Sequence, residues 1–133
     1  MTYALDTNIA SYFIQNDVHV IARFRAALIS KSKIVIPPVT YYEILRGFKH
    51  KPAPEKEKAF QRMCKLFPIG EMTFPVWEQA AIIYASIRKM GIIIGDADIL
   101  TAAFCIVNGY TLVTHNTKHF DKIDGLSLED WAK

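Results

Sequence analysis

At 133 residues the chain has room for one domain, residues 1–133, with a core that needs no disulfide or metal staple. Its formal net charge is +3, from 16 Lys and Arg against 13 Asp and Glu, which permits a nucleic-acid partner and excludes a histone-like polycation. Hydrophobic residues make up 51%, enough for a filled core and an apolar contact surface, yet no run approaches the roughly 20 apolar residues of a membrane span.

Met1-Thr2-Tyr3 lacks the basic start and apolar stretch of a secretory leader. Cys64 and Cys105 lie in helix-like apolar patterns without ligand spacing, and two cysteines make no disulfide framework. They read as buried, reduced thiols, and the expected location is the cytoplasm.

Residues 3–6 read as a short buried strand. A helix over 9–14 follows, with Asp6, Thr7 or Asn8 as its cap. Val20, Ile21, Phe24, Ala27 and Leu28 recur at three and four, which predicts a helix over 19–29. Ile34-Val35-Ile36 is a buried strand stopped by Pro37-Pro38. Helix is expected over 40–48, then a basic, proline-punctuated turn over 49–54, then helix over 55–65. Residues 66–69 fit a short strand. Pro75 is placed to open a helix running to residue 90, which Gly91 stops. Residues 92–94 form a short extended or loop segment. The pattern over 98–108 is apolar nearly all round, as in an interior helix. Residues 111–114 are a clear strand, and 126–128 fit another. Strands alternating with helices predict an α/β fold: a short, mostly parallel sheet of four to five strands with helices on both faces. Phe24, Phe48, Phe60, Phe74, Trp77 and Phe104 are expected in the core.

The chemistry is expected at isolated polar residues where elements end. Asp6 closes the first strand, and Asn116 follows the strand over 111–114. Glu43 and Asp98 fall in the first turns of their helices. In parallel sheets functional groups collect beyond the carboxyl ends of the strands, where all four positions converge. Converging carboxylates raise one another's pKa, so a positive group must sit among them; a hard divalent cation, which prefers oxygen ligands, is the natural one.

Each residue also has a plainer role. Thr40-Tyr41-Tyr42-Glu43 matches a capping box. Asp6 can cap the first helix. Asp96 and Asp98 both suit a helix N-terminus, with Asp96 the expected cap and Asp98 facing inward. Asn116 suits a turn and is a weaker metal ligand than a carboxylate. His50, His115 and His119 lack convergent ligand spacing and are read as surface or RNA-contact residues.

Four motifs in order resemble those of PIN-domain ribonucleases, and more closely the VapC toxins of bacterial toxin–antitoxin pairs. They are Leu5-Asp6-Thr7-Asn8, Val39 to Gly47 around Glu43, Gly95 to Ala103 around Asp98, and Leu112 to Phe120 around Asn116; the tail from Leu126 to Trp131 is similar too. The broader family often carries a fourth acid where this chain has Asn116. The resemblance implies a three-layer PIN-like fold and hydrolysis of an RNA phosphodiester. Asp6 and Asp98 would hold Mg²⁺ or Mn²⁺, Glu43 would ligate through water or orient the attacking water, and Asn116 would complete the shell or position substrate. Thr7, Asn8, Asp96 and Thr114 would support them. It further implies a structured RNA substrate such as tRNA, products with 5′-phosphate and 3′-hydroxyl ends, a homodimer and a VapB-like antitoxin. Two alternatives share the fold: an RNA-processing nuclease without an antitoxin, and a non-catalytic interaction domain.

Overall fold

A computed structural model describes residues 1–132. Four strands form one all-parallel sheet: β1 (Thr2–Leu5), β2 (Lys33–Val35), β3 (Thr111–Val113) and β4 (Ser127–Glu129), in the order β2-β1-β3-β4. Tyr3 pairs with Ile34 on one side and Thr111 on the other, and Leu112 pairs with Leu128. The expected strand over 66–69 reduces to a single parallel bridge between Ile36 and Ile69. Pro68 and Gly70 flank it, and only their carbonyl and N–H respectively reach Ile36.

The connections are α1 (Thr7–Ile14), α2 (Val18–Ile29), α3 (Pro38–His50), α4 (Pro54–Leu66), α5 (Phe74–Lys89), α6 (Asp96–Asn108) and α7 (Thr117–Phe120). Local chemistry sets their ends. Asp17 caps α2 by accepting the Val20 N–H at 3.0 Å. Pro38 and Pro54 open α3 and α4, where a missing N–H costs no hydrogen bond. Gly109 ends α6 at φ +70°, a left-handed turn that glycine enters freely.

Alternation along the strands divides the core into two. Ala4, Val35 and Leu112 face one cluster, with Val76, Ala80, Ile83 and Ile87 of α5 and the inner face of α6. Leu5, Ile34, Ile36 and Val113 face the other, with Ile9 of α1, Phe24 of α2, Ile44 of α3 and Phe60 and Met63 of α4. Strands apolar on both faces are what a helix-covered parallel sheet requires. Trp131 completes the second cluster, edge-on to Phe24 at 5.1 Å and to Tyr3 at 5.0 Å. Its indole N–H donates to Glu129 at 3.0 Å.

Four expectations need correction. The turn expected over 49–54 is shorter: α3 runs on to His50 and α4 begins at Pro54, which leaves residues 51–53 between them. Phe74 and Trp77 are exposed, because α5 buries the stripe of Val76, Ala80 and Ile83 instead. The cap of α6 is Gly95 rather than Asp96, whose side chain makes no capping bond. Residues 117–120, given no element from sequence, form the one-turn helix α7 around the buried Phe120. Among the described residues no helix is long and apolar enough to cross a membrane.

Candidate active site

The chain leaves β1 for β2 on one side and later returns to β3 on the other, so the crossovers diverge at the carboxyl ends of β1 and β3. Asp6 sits at this point. Its backbone N–H donates to the Val113 carbonyl at 2.9 Å, which extends the β1–β3 ladder by one residue. Its side chain is nearly enclosed. Oδ1 accepts the Thr7 N–H at 2.9 Å and Oδ2 accepts the Thr114 hydroxyl at 2.7 Å. Asp6 therefore caps α1 with one oxygen and is tied to the residue after β3 with the other.

Glu43 is drawn in by Thr7, whose hydroxyl donates to Oε1 at 2.7 Å. Its other oxygen, Oε2, lies 3.5 Å from the Arg46 guanidinium. The capping-box reading fails because α3 starts at Pro38, two residues before Thr40. The Thr40 hydroxyl is fully buried and donates instead to the Leu5 carbonyl at 2.8 Å. That bond pins α3 to the end of β1 and places Glu43 one turn further on.

Asp98 lies in the first turn of α6. Its Oδ2 is 2.8 Å from Nε2 of His119 on α7. Asn116 caps α7 in position only; its side chain makes no capping bond. Its backbone N–H donates to the Thr114 hydroxyl at 3.0 Å, and its carbonyl accepts the His119 N–H at 3.0 Å. Asn8 accepts the His115 N–H at 3.2 Å and so ties α1 to the loop after β3. Asp96 stands apart, lining a groove of about 360 Å³ with Trp77, Tyr84 and Leu100.

Electrostatics binds these contacts into one site. The Asp6 carboxyl titrates above its ordinary value, chiefly because burial penalises its charge. The Thr114 and Thr7 hydrogen bonds pull the other way, while the charges of Asp98 and Glu43 push it up further. Asp6 therefore feels both other acids. The Asp6 charge also adds to burial in pushing up the Cys105 thiol of α6, which keeps that residue protonated and inert. The groups that hold Asp6 are neutral donors, so among the described residues no fixed cation balances its charge.

The donor set suits a hard divalent cation. Among the described residues no three carboxylate, imidazole or thiol side chains form a ready-made ligand cage. Glu43 is held aside by Thr7 and Arg46, which leaves two carboxylates and solvent. Mg²⁺ binds in this way, keeping several waters and taking one or two carboxylates.

Sequence reading missed two contacts: the His119 imidazole against Asp98, and the Thr40 hydroxyl that anchors α3. His119 is 21 residues from Asp98 and belongs to a helix with no sequence signal beyond one buried aromatic.

With this geometry in view, comparison with known proteins is specific. The PIN domain family matches residues 3–126, and the chain belongs to that family. It is 29% identical over 138 residues to Ribonuclease VapC1 of Haemophilus influenzae strain R2866, covering 100% of each. It is 27% identical over 134 residues to the tRNA(fMet)-specific endonuclease VapC of Shigella flexneri, covering 99% of each. The solved structure of VapBC2 from Rickettsia felis bound to a DNA fragment from their promoter matches with a TM-score of 0.91 at 26% identity, over 98% of this chain and 99% of that one.

Proposed function

We propose that this chain is a metal-dependent endoribonuclease, the toxin of a type II toxin–antitoxin pair that acts in the cytoplasm on structured RNA such as tRNA. The observation that carries the reading is the buried Asp6 carboxyl where β1 and β3 end, held only by neutral donors, with the charges of Asp98 and Glu43 pushing its pKa further up. A scaffold without chemistry has no reason to bury an uncompensated carboxylate near two further acids. The names of the relatives, a ribonuclease and a tRNA-specific endonuclease, point the same way.

Asp6 and Asp98 would hold Mg²⁺ or Mn²⁺. When bound, such an ion lowers the pKa of water and neutralises charge on an attacked phosphate. The chain's own residues do the rest. Glu43, fixed by Thr7, accepts a hydrogen bond from the attacking water and aims it. Asn116, on the far side of Thr114, positions the RNA backbone with its amide. Thr7 and Thr114 hold the carboxylates so that neither can turn away, and Asn8 braces the loop that carries Thr114 and Asn116. Water oxygen bonds to phosphorus as the bond to the 3′ oxygen breaks, giving 5′-phosphate and 3′-hydroxyl ends.

A VapB-like antitoxin is the expected protein partner, as the VapBC2 structure suggests by similarity. Its apolar segment would cover this chain and carry a basic side chain toward the acids. The protein alone would be a homodimer through α5, whose Phe74, Trp77 and Tyr84 form an exposed apolar stripe at helical spacing.

The test is cleavage of total tRNA by purified protein. Cleavage should stop with a chelator and return with Mg²⁺ or Mn²⁺, and sequenced fragment ends should carry 5′-phosphates at a few sites. Undiminished cleavage in excess chelator would remove the metal from the mechanism.

A further inference from the structure

His119 occupies a built position. The helix that carries it, α7, is a single turn anchored by the buried Phe120 and followed by the buried Ile123. The imidazole lies edge-on to the Phe120 ring at 5.4 Å and 82°. Its backbone N–H is held by the Asn116 carbonyl. These contacts place the partly exposed ring beside α6, and its Nε2 is 2.8 Å from Oδ2 of Asp98. An ionised carboxylate can only accept, so Nε2 carries the hydrogen. Asp6, by comparison, has both oxygens pinned by Thr7 and Thr114, and Glu43 has Oε1 pinned by Thr7. His119 supplies the matching restraint for the third acid.

We infer that His119 is a positioning residue for Asp98: it fixes Oδ2 by hydrogen bonding and leaves Oδ1 free to turn toward Asp6 and a shared divalent cation. This rests on the reading of Asp6 and Asp98 as an ion site. His119 does not itself ligate the ion, because its donor nitrogen is spent on the carboxylate. It thereby couples the short segment after β3 to the first turn of α6, two pieces of chain that no backbone ladder joins. Without it Asp98 would keep only the rotamer preferences of an exposed helix-start aspartate, and binding would have to order it each time.

The test measures Mn²⁺ binding directly on the full chain, by the electron paramagnetic resonance signal of free Mn²⁺ in titrations. The variants are His119→Ala, His119→Gln and Asp98→Asn, with circular dichroism confirming that each folds. Losing a hydrogen-bond partner of a ligand weakens metal binding by about 10–100-fold, and that loss is expected for His119→Ala. His119→Gln puts an amide donor near the Nε2 position and should bind within about threefold of the parent. Echo-detected spectra of bound Mn²⁺ should show no strongly coupled nitrogen. Unchanged binding by His119→Ala, or equal weakening by Ala and Gln, would overturn the inference, as would a directly coordinated nitrogen. Asp98→Asn separates the two levels. If it binds Mn²⁺ like the parent, the ion-site reading itself fails; if it loses binding while His119→Ala does not, only the role of His119 falls.

Discussion

Asp6 shows how a side chain proposed for chemistry can be poor for stability. Its carboxyl titrates above the ordinary value when folded, so between the unfolded and folded values the native state binds more protons. Stability therefore falls as pH rises through that window, and above it the full cost of the buried charge is present. Asp6→Asn removes that charge and keeps the capping acceptor for the Thr7 N–H. The variant is expected to melt at a higher temperature than the parent at pH 7 and to lose most of its dependence of Tm on mildly acid pH. Its cleavage rate should fall by at least about 100-fold, because each ~1.36 kcal/mol of lost transition-state stabilisation is a factor of ten. Differential scanning calorimetry beside a tRNA cleavage assay checks both. An Asn variant that is less stable yet fully active would contradict the assignment. Mn²⁺ should raise the Tm of the parent and leave this variant nearly unmoved.

Helix α3 depends on a hydroxyl that points away from the chemistry. Thr40 is enclosed and donates to the carbonyl of Leu5, the residue before Asp6. Thr40→Val keeps the shape and removes the donor, which should cost about 1–3 kcal/mol in urea unfolding. A loss under roughly 0.5 kcal/mol, the size of an ordinary surface substitution, would mean the carbonyl has another donor. This bond also marks where sequence reading stops. The strands were legible because Ile34-Val35-Ile36 and Thr111-Leu112-Val113 are apolar runs between breakers, and the helices because α1 follows cap residues, α2 is periodic and α6 is a long apolar run closed by Asn108-Gly109. The positions of Asp6, Thr114 and Asn116 at the sheet edge were legible because Asp6 and Thr114 close apolar runs and Asn116 follows two residues later. Thr40 was not, since Thr-x-x-Glu fits a capping box equally well until Pro38 starts the helix earlier. Trp77 was not, since α5 carries apolar residues on two faces and local pattern cannot say which turns inward. His119 was not, since its partner is fixed only by how α7 docks.

At the scale of the molecule, α5 carries an exposed apolar stripe that the proposed homodimer would bury, with the groove that includes Asp96 alongside it. Light scattering at micromolar concentration should give twice the monomer mass for the parent, and Trp77→Glu should give the monomer with unchanged circular dichroism. A parent that runs as a monomer would remove the dimer. The order of the strands has another consequence, for the time course of synthesis. Asp6 is among the first residues made, yet the hydroxyl that orients it belongs to Thr114, 108 positions later, and β1 lies between β2 and β3. A growing chain can pair β1 with β2 while still attached to the ribosome, but the three acids cannot assemble until most of the polypeptide has emerged. Under the proposed function, a nuclease wired this way would stay harmless to the message and tRNAs that are producing it until near release.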